Sequence, residues 1–160
     1  MKKIIYKLTY LTALFALFYS CDDVERVYYN DGAETVLTLS DDNLVLNEEN
    51  AANEILTLTW TQPDFGFSAA ALYSVQIDVQ GGDFSNPQII SVGGAFDKTF
   101  TVEELNAKLL SLSMVPNEEG VASFRIKATL SEYQEIYSNT VNISCLLYKS
   151  PSPRDMSASR

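Results

Sequence analysis

The chain has 160 residues, with 21 acidic and 11 basic side chains and no histidine, which gives a formal net charge of −10. Hydrophobic residues make up 46% and charged residues 20% of the sequence, a composition typical of a single globular domain. The lack of histidine excludes histidine-based nucleophile systems and histidine-ligated metals, and the acidic balance argues against a nucleic-acid partner.

Residues 1–20 have the pattern of a secretion signal. Lysines give them a positively charged start, and the uncharged run 8–19 is too short to span a bilayer, which needs about 20 residues. Ser20 before Cys21 is typical of a bacterial lipoprotein signal, in which the cysteine thiol is acylated. We therefore predict lipidation of Cys21. The alternative is a plain secretory signal with a coincidental cysteine.

Residues 21–34 are predicted to be a lipidated acidic tether. Asp22 and Asp23 directly follow the cysteine, and acidic residues there resemble the surface-export tag of some Gram-negative lipoproteins. We therefore expect a protein anchored by lipid to the outer membrane and exposed on the cell surface, with outer-membrane lipid as the first partner.

Period-two alternation of apolar and polar residues dominates residues 35–144 and predicts about eight short strands. The predicted strands are 35–39, 44–46, 55–60, 73–79, 88–92, 98–101, 122–129 and 139–143. Their spacing predicts an all-β fold, an immunoglobulin-like β-sandwich with one short helix between strands.

The predicted helix follows Thr101, which can cap it, and Glu104 three residues later would complete a capping box. Pro116 stops the helix. One apolar face is formed by Val102, Leu105, Leu109 and Leu112.

The last stretch, 145–160, reads as an artefactual or disordered tail. It is rich in Ser and Pro, and residues 145–155 closely resemble the translation of a sequencing-library adaptor. We therefore place the end of the sandwich domain at Ser144 and do not pair Cys21 with Cys145 in a disulfide; the alternative is a genuine disordered tail. Residues 22–144 hold 20 acidic and 5 basic side chains, a net charge of −15.

An ordered set of short motifs carries a family likeness. In chain order they are Trp60 with Pro63, Tyr73–Asp78, Gly82-Asp83-Phe84, Thr99-Phe100-Thr101 with Glu104-Leu105-Asn106, Phe124–Ala128 and Tyr137-Ser138-Asn139. Behind a lipoprotein signal, this order resembles the N-terminal domain of the SusE/SusF-type outer-membrane lipoproteins, over residues 21–144.

The resemblance implies an immunoglobulin-like sandwich on the cell surface that belongs to a starch- or glycan-utilisation system. It also implies that the sugar-binding modules lie C-terminal to this domain, which acts as a spacer or scaffold. We expect those modules to be absent from this chain, which ends in the adaptor-like tail, and polysaccharide to be bound through them.

Two other functions remain open: the domain itself binds polysaccharide, or it is an adhesion or assembly module that docks on an outer-membrane glycan transporter. Glycan binding uses exposed aromatic rings, and core or hairpin packing is the alternative for each of them. The candidate rings are Tyr28, Tyr29, Phe65, Phe67, Tyr133 and Tyr137. We assign Trp60 to the core and expect Tyr137 to make a corner-type hydrogen bond to backbone.

Adjacent carboxylates occur at Asp41-Asp42, Glu48-Glu49, Glu103-Glu104 and Glu118-Glu119. A glycosidase needs two carboxylates that face each other across a cleft, and neighbours in a turn do not supply that arrangement. We predict solvated loops, no catalytic residue, no metal site and no cofactor, and hence a protein that is not an enzyme.

Overall fold

Nine strands and one α-helix are formed by the residues that the computed structural model describes, which are 34–65, 70–131 and 134–149. The strands are β1 (Leu37–Leu39), β2 (Asn43–Val45), β3 (Glu54–Trp60), β4 (Leu72–Val79), β5 (Gln88–Gly93), β6 (Asp97–Thr101), β7 (Glu119–Ser131), β8 (Gln134–Tyr137) and β9 (Val141–Leu146). Helix α1 (Val102–Ser111) lies between β6 and β7, and a short 3-10 helix (Glu48–Asn50) precedes β3. None of the helices in these ranges is long and apolar enough to cross a membrane.

The strands form two sheets. One has three strands in the order β1-β3-β6; the other has six, in the order β2-β9-β7-β4-β5 with β8 also paired to β7. The thirteen-residue β7 pairs with β9 along its first half and with β8 along its second. All pairs are antiparallel except β2 with β9, which is parallel. This architecture confirms the predicted immunoglobulin-like β-sandwich with one helix between strands.

Apolar side chains from the two sheets meet in one core. The six-stranded sheet contributes Val75, Ile77, Phe124, Ile126 and Ile143, all fully buried, and the three-stranded sheet contributes Leu58 and Phe100. Trp60 is 3% exposed, which confirms its assignment to the core. Burial of each large apolar side chain stabilises the fold by about 1.5–3 kcal/mol, so these alternating rows are the main source of stability.

Helix α1 begins as predicted. The Thr101 Oγ1 accepts a hydrogen bond from the Glu104 backbone N–H at 3.2 Å, which satisfies one of the free donors of the first turn. The Glu104 carboxylate does not complete the capping box, because it accepts from Lys98 Nζ at 2.9 and 3.0 Å instead. The cap is therefore single, and the carboxylate joins the helix to β6.

Two features of the β-structure differ from the sequence prediction. Strand β8 was not predicted, because it has four residues and neither of its faces is fully buried. Strand β9 continues past Ser144, and Cys145 and Leu147 are 0% and 2% exposed. The domain boundary predicted at residue 144 is therefore too early, since the inward-facing row of β9 runs on through 145 and 147.

Candidate functional site

Most of the residues predicted for lipidation or glycan binding lie outside the described residues. They are Cys21, Tyr28, Tyr29, Phe67 and Tyr133. The lipid anchor and these four rings therefore stay predictions.

Phe65 is a predicted glycan-binding ring that the structure describes, and it is 1% exposed. Stacking on a sugar requires one open face of the ring, and both faces of Phe65 are covered by protein. The prediction that Phe65 contacts glycan is therefore wrong. The alternative, core packing, is correct for this residue, because the segment after β3 turns inward from Pro63, which is also buried.

The outer face of the six-stranded sheet carries a different cluster, formed by Phe84, Arg125 and Tyr137, which we name the Arg125 stack. The guanidinium carbon of Arg125 lies 4.1 Å from the Phe84 ring centroid and 4.2 Å from the Tyr137 ring centroid. Arg125 Nε also donates to Gln76 Oε1 at 2.7 Å. Gln76 is only 5% exposed although it points outward, because the Arg125 side chain covers it.

The β4–β5 loop brings Phe84 onto the sheet. Phe84 has φ 57°, in the left-handed region, and its backbone N–H donates to Asp78 Oδ2 at 2.9 Å. A Cβ at Gly82 would collide with the same Asp78 carboxylate, so this close approach requires glycine. The Gly82-Asp83-Phe84 motif therefore folds the loop back so that the Phe84 ring covers Arg125.

Tyr137 closes the other side of the stack and is 38% exposed. Its hydroxyl donates to Glu135 Oε2 at 2.8 Å, and Lys127 forms an ion pair with the same carboxylate. Hydrogen bonds from Lys127 and Tyr137 lower the pKa of Glu135, and the bond to Glu135 raises the pKa of the Tyr137 hydroxyl. The expected corner-type bond to backbone is therefore wrong, because the hydroxyl donates its hydrogen bond to a carboxylate two residues away instead.

A shallow polar groove lies between the β4–β5 loop and the C-terminal end of α1. Its volume is about 340 Å³. The polar side chains that line it include Asp78, Asp83, Asn86, Gln88, Ser111 and Ser113. Such groups can exchange hydrogen bonds with water or with ligand hydroxyls. Three of them are already engaged locally. Asp78 accepts from the Phe84 N–H, Asp83 Oδ1 accepts from the Ser85 N–H at 2.9 Å, and Ser111 Oγ donates to the Lys108 carbonyl oxygen at 2.6 Å.

The acidic pairs and the cysteine have no arrangement for acid–base or nucleophilic chemistry in the part of the chain that the structure describes. Three of the acidic pairs are exposed to solvent: Asp41-Asp42 before β2, Glu48-Glu49 in the 3-10 helix and Glu118-Glu119 at the start of β7. Burial raises the pKa of the Cys145 thiol to about 12, so it is protonated at neutral pH. Within the described ranges, no group of three or more Cys, Asp or Glu side chains is placed to hold a metal ion.

Two asparagines bind backbone at opposite ends of the sandwich, and we name Asn106 and Asn139 the asparagine clamps. The side-chain amide of Asn106 pairs with both backbone groups of Tyr148, and that of Asn139 pairs with both backbone groups of Leu37. Neither residue has a role predicted from the sequence. A signal existed for Asn106, which adjoins Leu105 on the buried side of α1, where a polar residue requires a partner.

Two sheets, antiparallel except for the β2–β9 pair, enclose one core in the described residues, with a single α-helix between β6 and β7. This arrangement defines a sandwich domain of the immunoglobulin class. Among solved structures, the chain is similar to the fn3 domain of human collagen alpha-1(XX) chain, with a TM-score of 0.40 and 12% identity over 76% of this chain and 85% of that one. It is also similar to the periplasmic chaperone SfaE, with a TM-score of 0.34 and 13% identity over 78% of this chain and 63% of that one.

The sequence itself identifies the family. The family model of the SusE outer membrane protein matches residues 22–127, from the segment before β1 into β7. The chain therefore belongs to the SusE family of outer membrane proteins. No curated protein shows significant sequence similarity to it.

Proposed function

We propose that this chain is a lipid-anchored spacer domain on the cell surface, which holds glycan-binding modules away from the outer membrane and catalyses no reaction. Membership of the SusE family supports the outer-membrane location and a role in a starch- or glycan-utilisation system. In this proposal the glycan is bound by modules C-terminal to the sandwich, and acylated Cys21 attaches the tether to lipid.

The observation that carries the proposal is the path of the chain. Residues 37–46 run parallel to residues 139–146, so that Leu37 lies beside Asn139 and Leu46 beside Leu146. The chain enters the sandwich at the Asn139 end and leaves it near Asn106. At ~3.3 Å per residue, the stretch from Asn139 to Tyr148 spans about 30 Å. A domain crossed in this way keeps a membrane tether at one end apart from a binding module at the other.

The lipid anchor is tested by metabolic labelling with a fatty acid. We expect the chain to incorporate label, and we expect Cys21→Ala or treatment with globomycin to abolish the incorporation. Several acyl chains would hold the protein firmly, since each buried methylene contributes about 0.8 kcal/mol. Label that persists in Cys21→Ala would contradict the anchor.

The spacer geometry is tested by energy transfer to acceptor lipids in vesicles that carry the lipidated protein. Donor dyes are placed on Val36→Cys, at the entrance to β1, or on Lys149→Cys, just after Tyr148; both positions are exposed. Cys145 is buried and protonated, so it does not compete for the dye. We expect weaker transfer from position 149 than from position 36. Equal transfer would mean that the domain lies flat on the membrane, against the proposal.

A second candidate function is glycan binding by this domain, and the Arg125 stack is the observation that favours it. The partly exposed Tyr137 ring is available for stacking on a sugar face, and the Arg125 guanidinium has N–H groups beyond the one that donates to Gln76. The Phe84 ring and the Gln76 bond hold the guanidinium in place, so little side-chain entropy would be lost on binding.

Affinity electrophoresis on starch and other glycans separates the two functions. Retardation that is lost in Tyr137→Ala and kept in Phe96→Ala would support binding at the Arg125 stack. Phe96 is a suitable control because it is another exposed aromatic residue, 43% accessible, in the turn before β6. Migration unchanged on every glycan favours the spacer.

A further inference from the structure

We infer that Asn106 and Asn139 fix the directions in which the chain enters and leaves the sandwich, because they hold residues 36–37 and 147–148 rigidly against it. The inference deepens the proposed spacer function and rests on it for its biological meaning. Its physical content is the immobility of two short chain segments, which depends only on hydrogen bonds between described residues.

At the exit, the buried Asn106 side chain makes the two backbone hydrogen bonds that a neighbouring strand would make. Its Nδ2 donates to the Tyr148 carbonyl oxygen at 3.1 Å, and its Oδ1 accepts from the Tyr148 backbone N–H at 3.1 Å. Asn106 is 1% exposed, so water does not compete with these bonds. The backbone N–H of Asn117 donates to the Leu147 carbonyl at 2.9 Å, so the exit is held at two successive residues.

At the entrance, Asn139 makes the same pair of bonds. The Leu37 backbone N–H donates to Asn139 Oδ1 at 2.7 Å, and Asn139 Nδ2 donates to the Leu37 carbonyl at 3.1 Å. One residue earlier, the Val36 N–H donates to Thr61 Oγ1 at 2.9 Å and the Val36 carbonyl accepts from the Thr61 N–H at 3.1 Å. At both ends of the sandwich, the entering or leaving backbone is therefore held by a paired donor and acceptor.

Asparagine suits this role because its side chain carries one donor group and one acceptor at the spacing of a peptide group. Aspartate would keep the acceptor and lose the donor. Each clamp binds only backbone atoms of its target, so it does not depend on which side chain stands at 37 or 148. Asn106 and Asn139 also end two of the motifs, Glu104-Leu105-Asn106 and Tyr137-Ser138-Asn139, and the clamps give both motifs a physical reason.

The test is backbone dynamics of the ¹⁵N-labelled chain by NMR. We expect order parameters of about 0.85, typical of rigid backbone, at residues 36–37 and 147–148. Asn106→Asp should lower those at 147–148 and leave those at 36–37 unchanged, and Asn139→Asp should do the reverse. Asn106→Leu removes the acceptor as well as the donor, so amide hydrogen exchange at Tyr148 should become about tenfold faster in that variant, the size expected for loss of the hydrogen bond to Asn106 Oδ1.

A proline pair keeps the test valid if a variant of the buried Asn106 fails to fold. Tyr148→Pro removes the backbone N–H that donates to Asn106 Oδ1 and changes no residue of α1. Lys149→Pro is the control, because it removes the next backbone N–H, which the clamp does not bind. We expect order parameters at 147–148 to fall below about 0.6 in Tyr148→Pro only, while core positions such as Phe124 stay rigid.

Order parameters below about 0.6 at either end of the unmodified, folded chain would overturn the inference, as would clamp variants that change neither end. These outcomes are distinct from failure of the spacer. Rigid ends combined with equal energy transfer at positions 36 and 149 would remove the spacer function and leave the clamps. Flexible chain segments at both ends, combined with weaker energy transfer at position 149 than at position 36, would remove the clamps and leave the spacer function.

Discussion

Arg125 shows how a charged residue can cover the outside of a sheet without an ion pair to any residue that the structure describes. Its guanidinium lies between the rings of Phe84 and Tyr137, and its Nε satisfies the buried oxygen of Gln76. Each cation–π contact contributes about 0.5–1 kcal/mol at a partly exposed site. The hydrogen bond contributes chiefly because a buried oxygen without a donor is unfavourable.

Replacement of Arg125 by Met should lower the free energy of unfolding by about 1–3 kcal/mol, because the Gln76 oxygen loses its donor and both ring contacts lose their charge. Urea unfolding measures the change. Lys127→Met is the matched control: Lys127 is the next outward residue on β7, and its ion pair with Glu135 is solvent-exposed and therefore weakly stabilising. Equal losses in the two variants would contradict the role given to the stack.

The Cys145 thiol should make stability depend on pH above neutrality. Burial raises its pKa from 9.0 to about 12, so between these values the unfolded chain has released the proton and the folded chain has kept it. Stability should therefore be unaffected by this group below about pH 9 and fall as the pH rises toward 12.

Unfolding free energies at pH 8 and pH 10.5 give the measurement. We expect a smaller decrease in Cys145→Ala than in the unmodified chain. The variant keeps the contribution of Tyr73, whose pKa is also raised by burial. An equal decrease in both proteins would show that the buried thiol does not contribute.

The elements divide into those with local sequence signals and those defined by partners far along the chain. Strand β4 and the start of helix α1 were predicted nearly to the residue, because alternation and an N-cap are properties of the segment itself. The end of α1 was not, because the helix stops at Ser111, five residues before the predicted stop at Pro116. Strand β8 and the end of β9 were not predicted, because pairing with distant strands defines them: β8 pairs with β7, and the end of β9 pairs with β7 and β2.

The candidate site follows the same rule. Phe65 was predicted to bind glycan because it is aromatic and lies in a loop. Its burial could not be predicted in the same way, because it depends on the whole fold. The asparagine clamps join residues 42 and 102 positions apart, so no local pattern reveals their partners, although the position of Asn106 on the buried side of α1 indicates that it needs one. The Arg125 stack likewise requires three different elements, the β4–β5 loop, β7 and β8.

Helix α1 should depend on its cap. Thr101→Ala removes the acceptor for the Glu104 N–H, and we expect it to destabilise the domain by about 1 kcal/mol without unfolding it. Thr101→Ser retains the oxygen and should have a much smaller effect. Thermal unfolding followed at 222 nm distinguishes them; an unchanged midpoint in Thr101→Ala would contradict the observed cap.

At the scale of the whole molecule, the surface is strongly acidic, and opposite charges do little to offset it. Residues 22–144 carry a net charge of −15, and the described residues contain two salt bridges, Lys98–Glu104 and Lys127–Glu135. Repulsion between like charges in the compact state opposes folding. Burial of the apolar core therefore has to outweigh the repulsion between the acidic side chains on the surface.

Salt should raise the stability of this domain. The Debye length falls from about 30 Å at 0.01 M to about 8 Å at 0.15 M, so added NaCl should screen the repulsion and raise the thermal midpoint by a few degrees. At pH 4.5, where a share of the Asp and Glu carboxylates is protonated, the same salt step should raise the midpoint less. A midpoint that falls with salt at pH 7 would show that the specific ion pairs dominate instead.

The parallel arrangement of β2 and β9 has a mechanical consequence. The chain leaves these two neighbouring strands in opposite directions, so tension between the ends drives them past each other. The bonds from Ser144 N–H to the Asp42 carbonyl and from Leu46 N–H to the Leu146 carbonyl would then be strained together, rather than peeled one at a time as in a hairpin. The force needed to unfold the domain should therefore be much higher when it is pulled through its two ends than when it is pulled in a direction that separates the strands one hydrogen bond at a time.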